Sequence, residues 1–257
     1  VFLNFKDYAV INCSVEIAKK LKIYHGFINA CLKNISKSKK KLAKIKISYN
    51  NFPNWFKNKT NDISEIYKKQ FITNFNQESS MHLVFKNNIE MKNFEEDIIA
   101  TSDISGFLVS KKNPKKIKSY NKGSWWIQDF SSFFPLFNFE EKNKYKNYLD
   151  ACAAPGGKSF QLLSKKFDVT LNDKSPFRLK ILKLNLKRLK FEAKILNKDF
   201  INFKSDRKYD VIIIDAPCSA VGTIRKNPEI FFKSKEPDFK NLLKNQEEML
   251  LKGATLL

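Results

Sequence analysis

The chain has 257 residues, with 48 Lys and Arg against 26 Asp and Glu and a net charge of +22. That length is enough for one large domain or two of ordinary size, each with its own hydrophobic core. The longest aliphatic run, residues 211–214, is far shorter than the roughly 20 apolar residues that cross a bilayer, and no leader-like segment opens the chain. These features exclude a membrane-spanning protein and lead us to expect a cytoplasmic monomer.

The cysteine pattern argues against a metal centre and against a disulfide framework. The four cysteines, Cys13, Cys31, Cys152 and Cys218, form no C-x-x-C pair, and the chain has only two histidines. Zinc sites and disulfide-stapled domains both require closer or more regular spacing. We therefore expect no metal, and each cysteine belongs either to a core or to the chemistry of a site.

The positive charge is spread over both halves of the chain. A basic surface of this extent attracts a polyanion and speeds encounter with it, which favours nucleic-acid binding. However, only four of the 48 basic residues are arginines, and enrichment in Lys, Asn, Ile and Phe is also typical of drifted composition. Charge alone leaves both interpretations open.

The first 48 residues predict helices. Apolar residues recur at nearly helical spacing over residues 7–22, and a second helical stretch is predicted over residues 27–47. Its lysine-rich end, residues 37–46, is typical of a solvated tail or linker, although it could also contact a phosphate backbone. The Pro- and Asn-containing segment that follows breaks the helical pattern, which places a domain boundary near Ser48.

Residues 49–124 predict a small α+β region. A helix is predicted over residues 62–75 and strands over residues 81–85 and 104–109, and Asn-Pro and Asn-Lys-Gly sequences mark the turns that follow.

Strands and helices alternate over the last third of the chain. Strands are predicted over residues 148–151, 169–172, 193–196 and 209–215, and helices from Ser159, over residues 176–190 and over residues 246–257. The last strand is a continuous β-branched run of the kind that is buried on both faces of a parallel sheet. The alternation predicts an α/β fold with a doubly wound, mostly parallel sheet, which binds ligands at the carboxyl ends of its strands.

An aspartate stands at or just beyond the end of each predicted strand. These residues are Asp150, Asp173, Asp199 and Asp215. In a parallel sheet all four converge on one rim, where an acid after the second strand can accept hydrogen bonds from a ribose diol. Any one of them could instead be an ordinary loop or N-cap residue, but four at one rim predict a ligand site.

The small-residue turn at residues 152–158 allows the backbone to approach a ligand closely. Its Gly-Gly-Lys-Ser end imitates a P-loop, but the first glycine of G-x-x-x-x-G-K-[ST] falls at Cys152, and Pro155 stiffens the loop, so the P-loop interpretation fails. The turn also lacks the G-x-G-x-x-G of a nicotinamide site. A cofactor that has a nucleoside but no phosphate therefore fits better.

Three motifs, in order and spacing, resemble one family. They read Tyr-Leu-Asp-Ala-Cys-Ala-Ala-Pro-Gly-Gly-Lys at residues 148–158, Asn-Leu-Lys-Arg-Leu at 185–189, and Asp-Ala-Pro-Cys-Ser-Ala-Val-Gly-Thr-Ile-Arg-Lys-Asn-Pro-Glu at 215–229. This set resembles the RNA (cytosine-5) methyltransferases of the RsmB/Nop type, also called the Sun family. The resemblance implies a Rossmann-like methyltransferase domain that acts on RNA, with rRNA as the expected partner.

The resemblance extends more weakly toward the amino terminus. Trp-Trp-Ile-Gln-Asp at residues 125–129 resembles the segment before the catalytic domain, and Phe-Pro-Asn-Trp at residues 52–55 resembles the entry to the RNA-recognition region. The helices before it resemble the end of a NusB-like domain. The resemblance thus implies three regions, namely a truncated NusB-like domain (1–48), a small α+β RNA-recognition region (49–124) and a truncated methyltransferase domain (125–257).

The resemblance also implies roles for individual residues. S-adenosylmethionine is the implied cofactor, and the residues implied to hold it are Cys152, Ala153, Ala154, Pro155, Gly156, Gly157, Lys158, Asp173, Asp199 and Asp215. By the resemblance, Cys218 assists product release and Asp215 hydrogen-bonds the cytosine edge or the methionine moiety. We expect Lys158 and Arg225 to contact RNA. For Cys152, a buried apolar role is an equal alternative.

In this family the main nucleophile lies in a later Thr-Cys motif, which we expect beyond Leu257. The chain as it stands is therefore expected to bind cofactor without turnover. Two alternatives remain. The chain could be a non-catalytic RNA-binding or assembly factor that keeps the fold, or a methyltransferase for DNA or a small molecule. DNA enzymes use the cysteine of a Pro-Cys motif itself as the nucleophile.

Overall fold

The computed structural model describes residues 6–75, 77, 79–110, 112–139, 146–232 and 236–257. The chain divides into two compact units, residues 1–76 and residues 77–257. Within the described ranges, the helices are all too short or too polar to cross a membrane.

The first unit is helical. Its helices are α1 (Asp7–Lys20), α2 (His25–Lys37), α3 (Lys39–Leu42), α4 (Asn54–Lys59) and α5 (Glu65–Phe75). The Ser36 hydroxyl donates to Asp7 Oδ2 at 2.6 Å, which ties α1 to α2. The helix predicted over residues 27–47 is interrupted after Lys37, because the lysine-rich segment has little apolar surface to bury and places like charges one turn apart.

Phenylalanines form the centre of the second half of this unit. Phe52 and Phe56 are buried, and both rings lie 5.4 Å from the ring of Phe71 on α5. Residues 49–75 thus form a helical cluster within the first unit. The two compact units meet after residue 76. The three regions proposed from the sequence, 1–48, 49–124 and 125–257, remain a prediction.

The second unit begins with an antiparallel sheet. Its elements are β1 (His82–Phe85), α6 (Asn88–Lys92), β2 (Ile98–Ser102), β3 (Ser105–Leu108) and β4 (Trp125–Ile127). The strand order is β2-β3-β1-β4. The predictions for β1 and β3 are confirmed, whereas β2 and β4 were not predicted, because a partly exposed edge strand and a three-residue strand carry little apolar pattern.

A parallel sheet with flanking helices follows. Its elements are α7 (Phe130–Phe137), β5 (Asn147–Asp150), α8 (Gly157–Ser164), β6 (Asp168–Asn172), α9 (Pro176–Leu189), β7 (Lys194–Leu196), β8 (Val211–Ile213) and α10 (Phe239–Ala254). Among the described residues, the strands of this second sheet are all parallel and follow the order β7-β6-β5-β8. The predicted Rossmann-like, doubly wound fold is confirmed.

The two faces of the parallel sheet carry separate cores. On β5, Tyr148 faces a cluster with Leu182 and other residues of α8 and α9, whereas Leu149 faces a cluster with Phe200 and Met249. Successive residues of a strand point to opposite faces, so one strand anchors helices on both sides. This double burial fixes the position of the carboxyl end of β5.

One prediction for this sheet is wrong. The β-branched run of β8 was expected to be buried on both faces, but Val211, Ile212 and Ile213 are only half-buried. Among the described strands, β8 pairs only with β5 and forms the edge of the sheet. An edge strand lacks the cover that a central strand receives from neighbouring strands and helices.

The antiparallel sheet is joined to the parallel one through a shared core and through α9. Val84 and Trp126 belong to the cluster of α8 and α9. The Arg188 guanidinium donates to the carbonyl of Trp125 at 3.0 Å, and the Lys86 ammonium donates to the carbonyl of Leu189. Cations at the carboxyl end of a helix complement its dipole, so these contacts fix both sheets as one body.

Candidate cofactor and catalytic rim

The topology places a crevice between β5 and β8. Strands run outward from β5 to β6 and β7 on one side and to β8 on the other, so the strand order reverses between β5 and β8. In open α/β sheets ligands bind outside the carboxyl ends of the strands at such a point. Asp150 ends β5, and Asp215 follows β8 by two residues.

The turn after β5 requires glycine at one position. Gly156 has φ +121°, and a Cβ built there lies 2.0 Å from the Phe160 ring. A side chain would be strained and would clash with a buried ring. Helix α8 begins at the next residue, Gly157. The small-residue turn is therefore needed to bring the strand end and the helix start together.

Asp150 stabilises this turn through hydrogen bonds. Its carboxylate accepts a hydrogen bond from the Ser159 hydroxyl at 2.6 Å and one from the Cys152 N–H at 3.3 Å. The side chain is buried, and this burial raises the pKa of Asp150 to about 6 despite those hydrogen bonds. The sequence placed Asp150 on the rim, but the role of Ser159 was not predicted.

Asp173 follows β6 directly and is almost fully buried. Its Oδ2 accepts from the Ala154 N–H at 3.2 Å, and its Oδ1 accepts from the Ser175 N–H at 2.9 Å. Oδ2 also lies 3.3 Å from the Arg178 guanidinium, which in turn donates to the Ala154 carbonyl. In this structure the carboxylate holds the turn to the start of α9, and its assignment to a ribose stays a prediction.

A small cavity lies on the rim beside Asp199. Its volume is about 130 Å³, and its apolar walls include Phe200, Ile201, Pro217 and Met249. We call it the cofactor cavity, because the sequence predicts a cofactor at this rim. Such a space admits a flat, largely apolar ring rather than a whole large ligand. The sequence did not predict these walls, because they come from three separate segments of the chain.

The polar edge of the cofactor cavity is charged. Asp199 Oδ2 lies 2.6 Å from Lys174 Nζ, and the side chain of Asp199 is one-third exposed. Hydrogen bonding to Lys174, with a smaller contribution from the Ile201 N–H, holds the pKa of Asp199 below its usual value. An ionised carboxylate that remains accessible at the edge can accept hydrogen bonds from a bound base or ribose.

Cys152 also lines the cofactor cavity. Burial, together with the negative charges of Asp150, Asp173 and Asp215, raises the pKa of the Cys152 thiol to about 12. A thiolate is the nucleophilic form of cysteine. Cys152 is therefore a neutral thiol at neutral pH, which suits contact with a ligand and not nucleophilic attack.

Lys158 links the turn to the second side of the crevice. Its Nζ lies 2.6 Å from Asp215 Oδ2 and donates to the Ser132 hydroxyl at 3.0 Å. The lysine side chain is mostly buried, whereas that of Asp215 is 57% exposed. The pair presents an accessible carboxylate beside a fixed cation. The sequence predicted Lys158 and Asp215 at this rim but not the contact with Ser132.

Cys218 is exposed and lies three residues beyond Asp215. The Ala220 N–H donates to Cys218 Sγ at 3.4 Å, and the Gln246 side chain of α10 donates to the Pro217 carbonyl at 2.9 Å. These contacts hold the Pro-Cys segment at the edge of the cofactor cavity, which Pro217 lines. Cys218 is thus an exposed residue that directly follows a residue of the cavity lining.

The loop after Cys218 carries cations. Arg225 is exposed, and the Lys226 ammonium forms an ion pair with Asp129, the N-cap residue of α7. Within the part of the chain that the structure describes, no cluster of three or more His, Cys, Asp or Glu side chains could hold a metal ion.

The carboxyl-terminal region is similar to known rRNA methyltransferases. Residues 137–257 match the family model described as 16S rRNA methyltransferase RsmB/F. The chain is 27% identical over 268 residues to the ribosomal RNA small subunit methyltransferase B of Vibrio vulnificus (strain YJ016), covering 96% of this chain and 63% of that protein. The protein of the same name from Shewanella oneidensis is 27% identical over 270 residues, covering 97% and 62%. The chain thus spans less than two thirds of the length of these relatives.

Solved structures support the fold. The crystal structure of PH0851 superposes with a TM-score of 0.73 at 20% identity, covering 94% of this chain and 59% of that one. NSun6 from Pyrococcus horikoshii, solved with SFG, gives a TM-score of 0.51 at 26% identity, covering 62% and 42%. The similarity to PH0851 shows a shared fold over nearly the whole chain.

Proposed function

We propose that this chain, whose residues 137–257 belong to the RsmB/F methyltransferase family, transfers a methyl group from S-adenosylmethionine to carbon 5 of a cytosine in RNA. Ribosomal RNA is the proposed substrate, because the similar proteins from Vibrio vulnificus and Shewanella oneidensis are named as small-subunit rRNA methyltransferases. The net charge of +22 is consistent with a polyanionic partner.

The residues at the rim fit this cofactor. The cofactor cavity offers apolar walls for an adenine ring, and the Asp199 carboxylate at its edge offers hydrogen-bond acceptors. Asp150, Asp173 and Asp215 act electrostatically on Cys152 at the same rim, so the cavity lies within a cluster of charged side chains. When bound, S-adenosylmethionine supplies an electrophilic methyl group. The cofactor assignment carries over to this chain from its family.

Carbon 5 of cytosine is a poor nucleophile, so the proposed reaction needs covalent catalysis. A cysteine thiolate adds to carbon 6, and the electron density gained at carbon 5 then attacks the methyl group. A base removes the carbon 5 proton, and the electrons of that C–H bond expel the thiolate from carbon 6. We assign the addition to a cysteine of the Thr-Cys motif in the whole protein, and the release step to Cys218.

Lys158 and Asp215 have a proposed part in holding the base. Their ion pair places an accessible carboxylate beside an ammonium group, so Asp215 can accept from the exocyclic amine of cytosine while Lys158 contacts Oδ2 of the same carboxylate. The contact between Lys158 and Ser132 restricts the lysine side chain. Such preorganisation lowers the cost of orienting a substrate group.

One observation carries the proposal. Pro217 lines the cofactor cavity, and Cys218, the next residue in the chain, is exposed. The chain thus carries an exposed cysteine one residue away from the proposed methyl-donor site. This supports a part for Cys218 in the reaction, whereas the neutral thiol of Cys152 is not suited to nucleophilic attack.

Covalent trapping on 5-fluorocytosine tests the proposal, because fluorine at carbon 5 cannot leave as a proton does and the thiol adduct persists. The test uses the chain extended at its carboxyl end by a strand that carries a Thr-Cys motif, incubated with S-adenosylmethionine and with RNA or DNA of equal sequence. We expect an adduct on a denaturing gel with RNA and none with DNA. Adducts with DNA alone would indicate a DNA enzyme instead.

The alternative of a non-catalytic RNA-binding factor rests on the charge. It predicts RNA binding without an adduct and without affinity for S-adenosylmethionine. Calorimetric titration of the chain with S-adenosylmethionine separates the two proposals, since only the enzyme requires the cofactor.

A further inference from the structure

A second cavity of about 270 Å³ lies in the same unit, and its lining shares no residue with the cofactor cavity. Its walls come from the segment before β1, from β3, from the first turn of α7 and from the loop after Cys218. The residues that carry the argument are Ser79, Phe107, Asp129, Phe130, Arg225 and Lys226. The volume is near the lower end of the range for small-ligand pockets, so it suits one nucleotide-sized group rather than a large ligand.

One wall of this cavity, which we call the flanking cavity, is aromatic and rigidly held. The rings of Phe107 and Phe130 lie 6.2 Å apart, and the buried His82 ring lies behind both, at 4.8 Å and 5.4 Å. His82 Nδ1 donates to the Gln128 carbonyl at 2.9 Å, and its Nε2 accepts from the Thr101 hydroxyl at 2.9 Å. A wall fixed in this way loses little conformational entropy when a flat group stacks on it.

The rest of the lining is mostly polar and includes two cations. Arg225, Lys226 and Thr223 belong to it, and Lys226 is held by its ion pair with Asp129. A cavity lined by aromatic rings and by cations matches a nucleotide, whose base stacks while its phosphate meets positive charge. The Asp129 carboxylate disfavours a phosphate alone, but it can accept hydrogen bonds from the amino group of a base.

The flanking cavity is joined to the catalytic rim by one turn of helix. Asp129 and Phe130 line the cavity, and Ser132, on the same turn of α7, accepts from Lys158 at 3.0 Å. Lys158 in turn pairs with Asp215. From the other side, the loop that carries Arg225 and Lys226 begins at the Pro-Cys segment. The flanking cavity is therefore connected to the rim through α7 and Lys158 on one side and through the loop after Cys218 on the other.

We propose that the flanking cavity binds the base of an unpaired RNA nucleotide adjacent to the target cytosine, stacked against Phe107 and Phe130. This inference rests on the proposed function, since it assumes that RNA lies along the rim. It adds a determinant of substrate choice, because a nucleotide that is paired in a duplex cannot stack there. The enzyme would thus select an unstacked segment of RNA.

A double-mutant cycle tests this stacking directly. Short single-stranded RNAs with a central cytosine are compared with versions that lack the base at one neighbouring position, and affinities for the full chain are measured by fluorescence anisotropy. We expect one abasic position to weaken binding by about five- to a hundredfold, the range for stacking of one base on an aromatic side chain. In Phe130→Leu and in Phe107→Leu the ratio of the dissociation constants for abasic and intact RNA should fall toward one, because the partner ring is gone.

Phe177→Leu is the matched control, since Phe177 is 72% exposed on α9 and does not line the cavity. It should keep the full abasic penalty, and melting curves verify that all variants fold. An equal abasic penalty in the parent, Phe130→Leu and Phe107→Leu would overturn the proposal. The affinity of the parent and of the same variants for S-adenosylmethionine is measured in parallel. A parent chain that does not bind S-adenosylmethionine would refute the proposed function, whatever the abasic penalties show.

Discussion

Asp173→Ala should destabilise the fold and not merely weaken cofactor binding. The substitution removes the acceptor of two backbone N–H groups, those of Ala154 and Ser175, at 3.2 Å and 2.9 Å. It also leaves the half-exposed Arg178 without its carboxylate partner. Because Asp173 is only 2% exposed, water cannot readily replace the lost acceptor.

The magnitude follows from these contacts. An unsatisfied buried donor costs about 1–3 kcal/mol, so two donors cost about 2–6 kcal/mol. That is a large part of a typical folding free energy of about 5–15 kcal/mol. For a unit of this size we expect the melting temperature to fall by on the order of 10 °C.

Differential scanning calorimetry of Asp173→Ala and Asp173→Asn, with Asp206→Ala as control, measures this effect. Asn keeps an acceptor oxygen and should lose less stability than Ala, whereas Asp206 is an exposed loop residue and its variant should melt like the parent. If Asp173→Ala melts with the parent and yet binds S-adenosylmethionine more weakly, the bracing role is refuted and the carboxylate serves the ligand.

Three further predictions concern pH, catalysis and salt. Burial raises the pKa of Asp150 from 3.8 to about 6, so its contribution to stability is fully present below the unfolded pKa and is lost as pH rises through 6. Asp150→Asn should therefore gain about 2 kcal/mol of stability on the parent between pH 4 and pH 7 in urea unfolding. A difference that stays constant with pH would contradict the assignment. In the chain extended with a Thr-Cys strand, Cys218→Ala should accumulate the covalent RNA adduct because release is slowed. Cys13→Ala changes another exposed cysteine and should not accumulate it. Loss of the adduct in Cys218→Ala would instead identify Cys218 as the attacking thiolate. RNA affinity of the chain should fall steeply between 50 and 200 mM salt, roughly 10³-fold or more if about six phosphates are contacted, and a flat response would indicate that the charge reflects composition.

The alternation of strands and helices was sufficient to predict the parallel sheet, because period and turn residues act locally. Burial depends on neighbours, and this is why the β-branched run at residues 211–213 was expected to be central although it lies at the edge of the described sheet. For the same reason β2, whose residues are only partly buried, was not predicted.

Local pattern located the rim aspartates but not their partners. Asp173 was identified by its position after a strand, yet the residues that contact its carboxylate belong to the turn after β5 and to α9. The cavity walls Phe200 and Met249 come from segments about 50 residues apart, and Ser132 reaches Lys158 across 26 residues. Contacts of this kind are set by the packing of the whole unit, which a local motif does not contain.

The central claim is that the rim binds S-adenosylmethionine, and calorimetric titration of the chain tests it most directly when Asp199→Asn is compared with Asp206→Asn. Asp199 is the accessible acid at the edge of the cofactor cavity, whereas Asp206 lies in an exposed loop. We expect the parent and Asp206→Asn to bind equally, and Asp199→Asn to bind about tenfold or more weakly, as for a lost hydrogen bond to a charged group. Absence of binding by the parent, or equal affinities in both variants, would contradict the account.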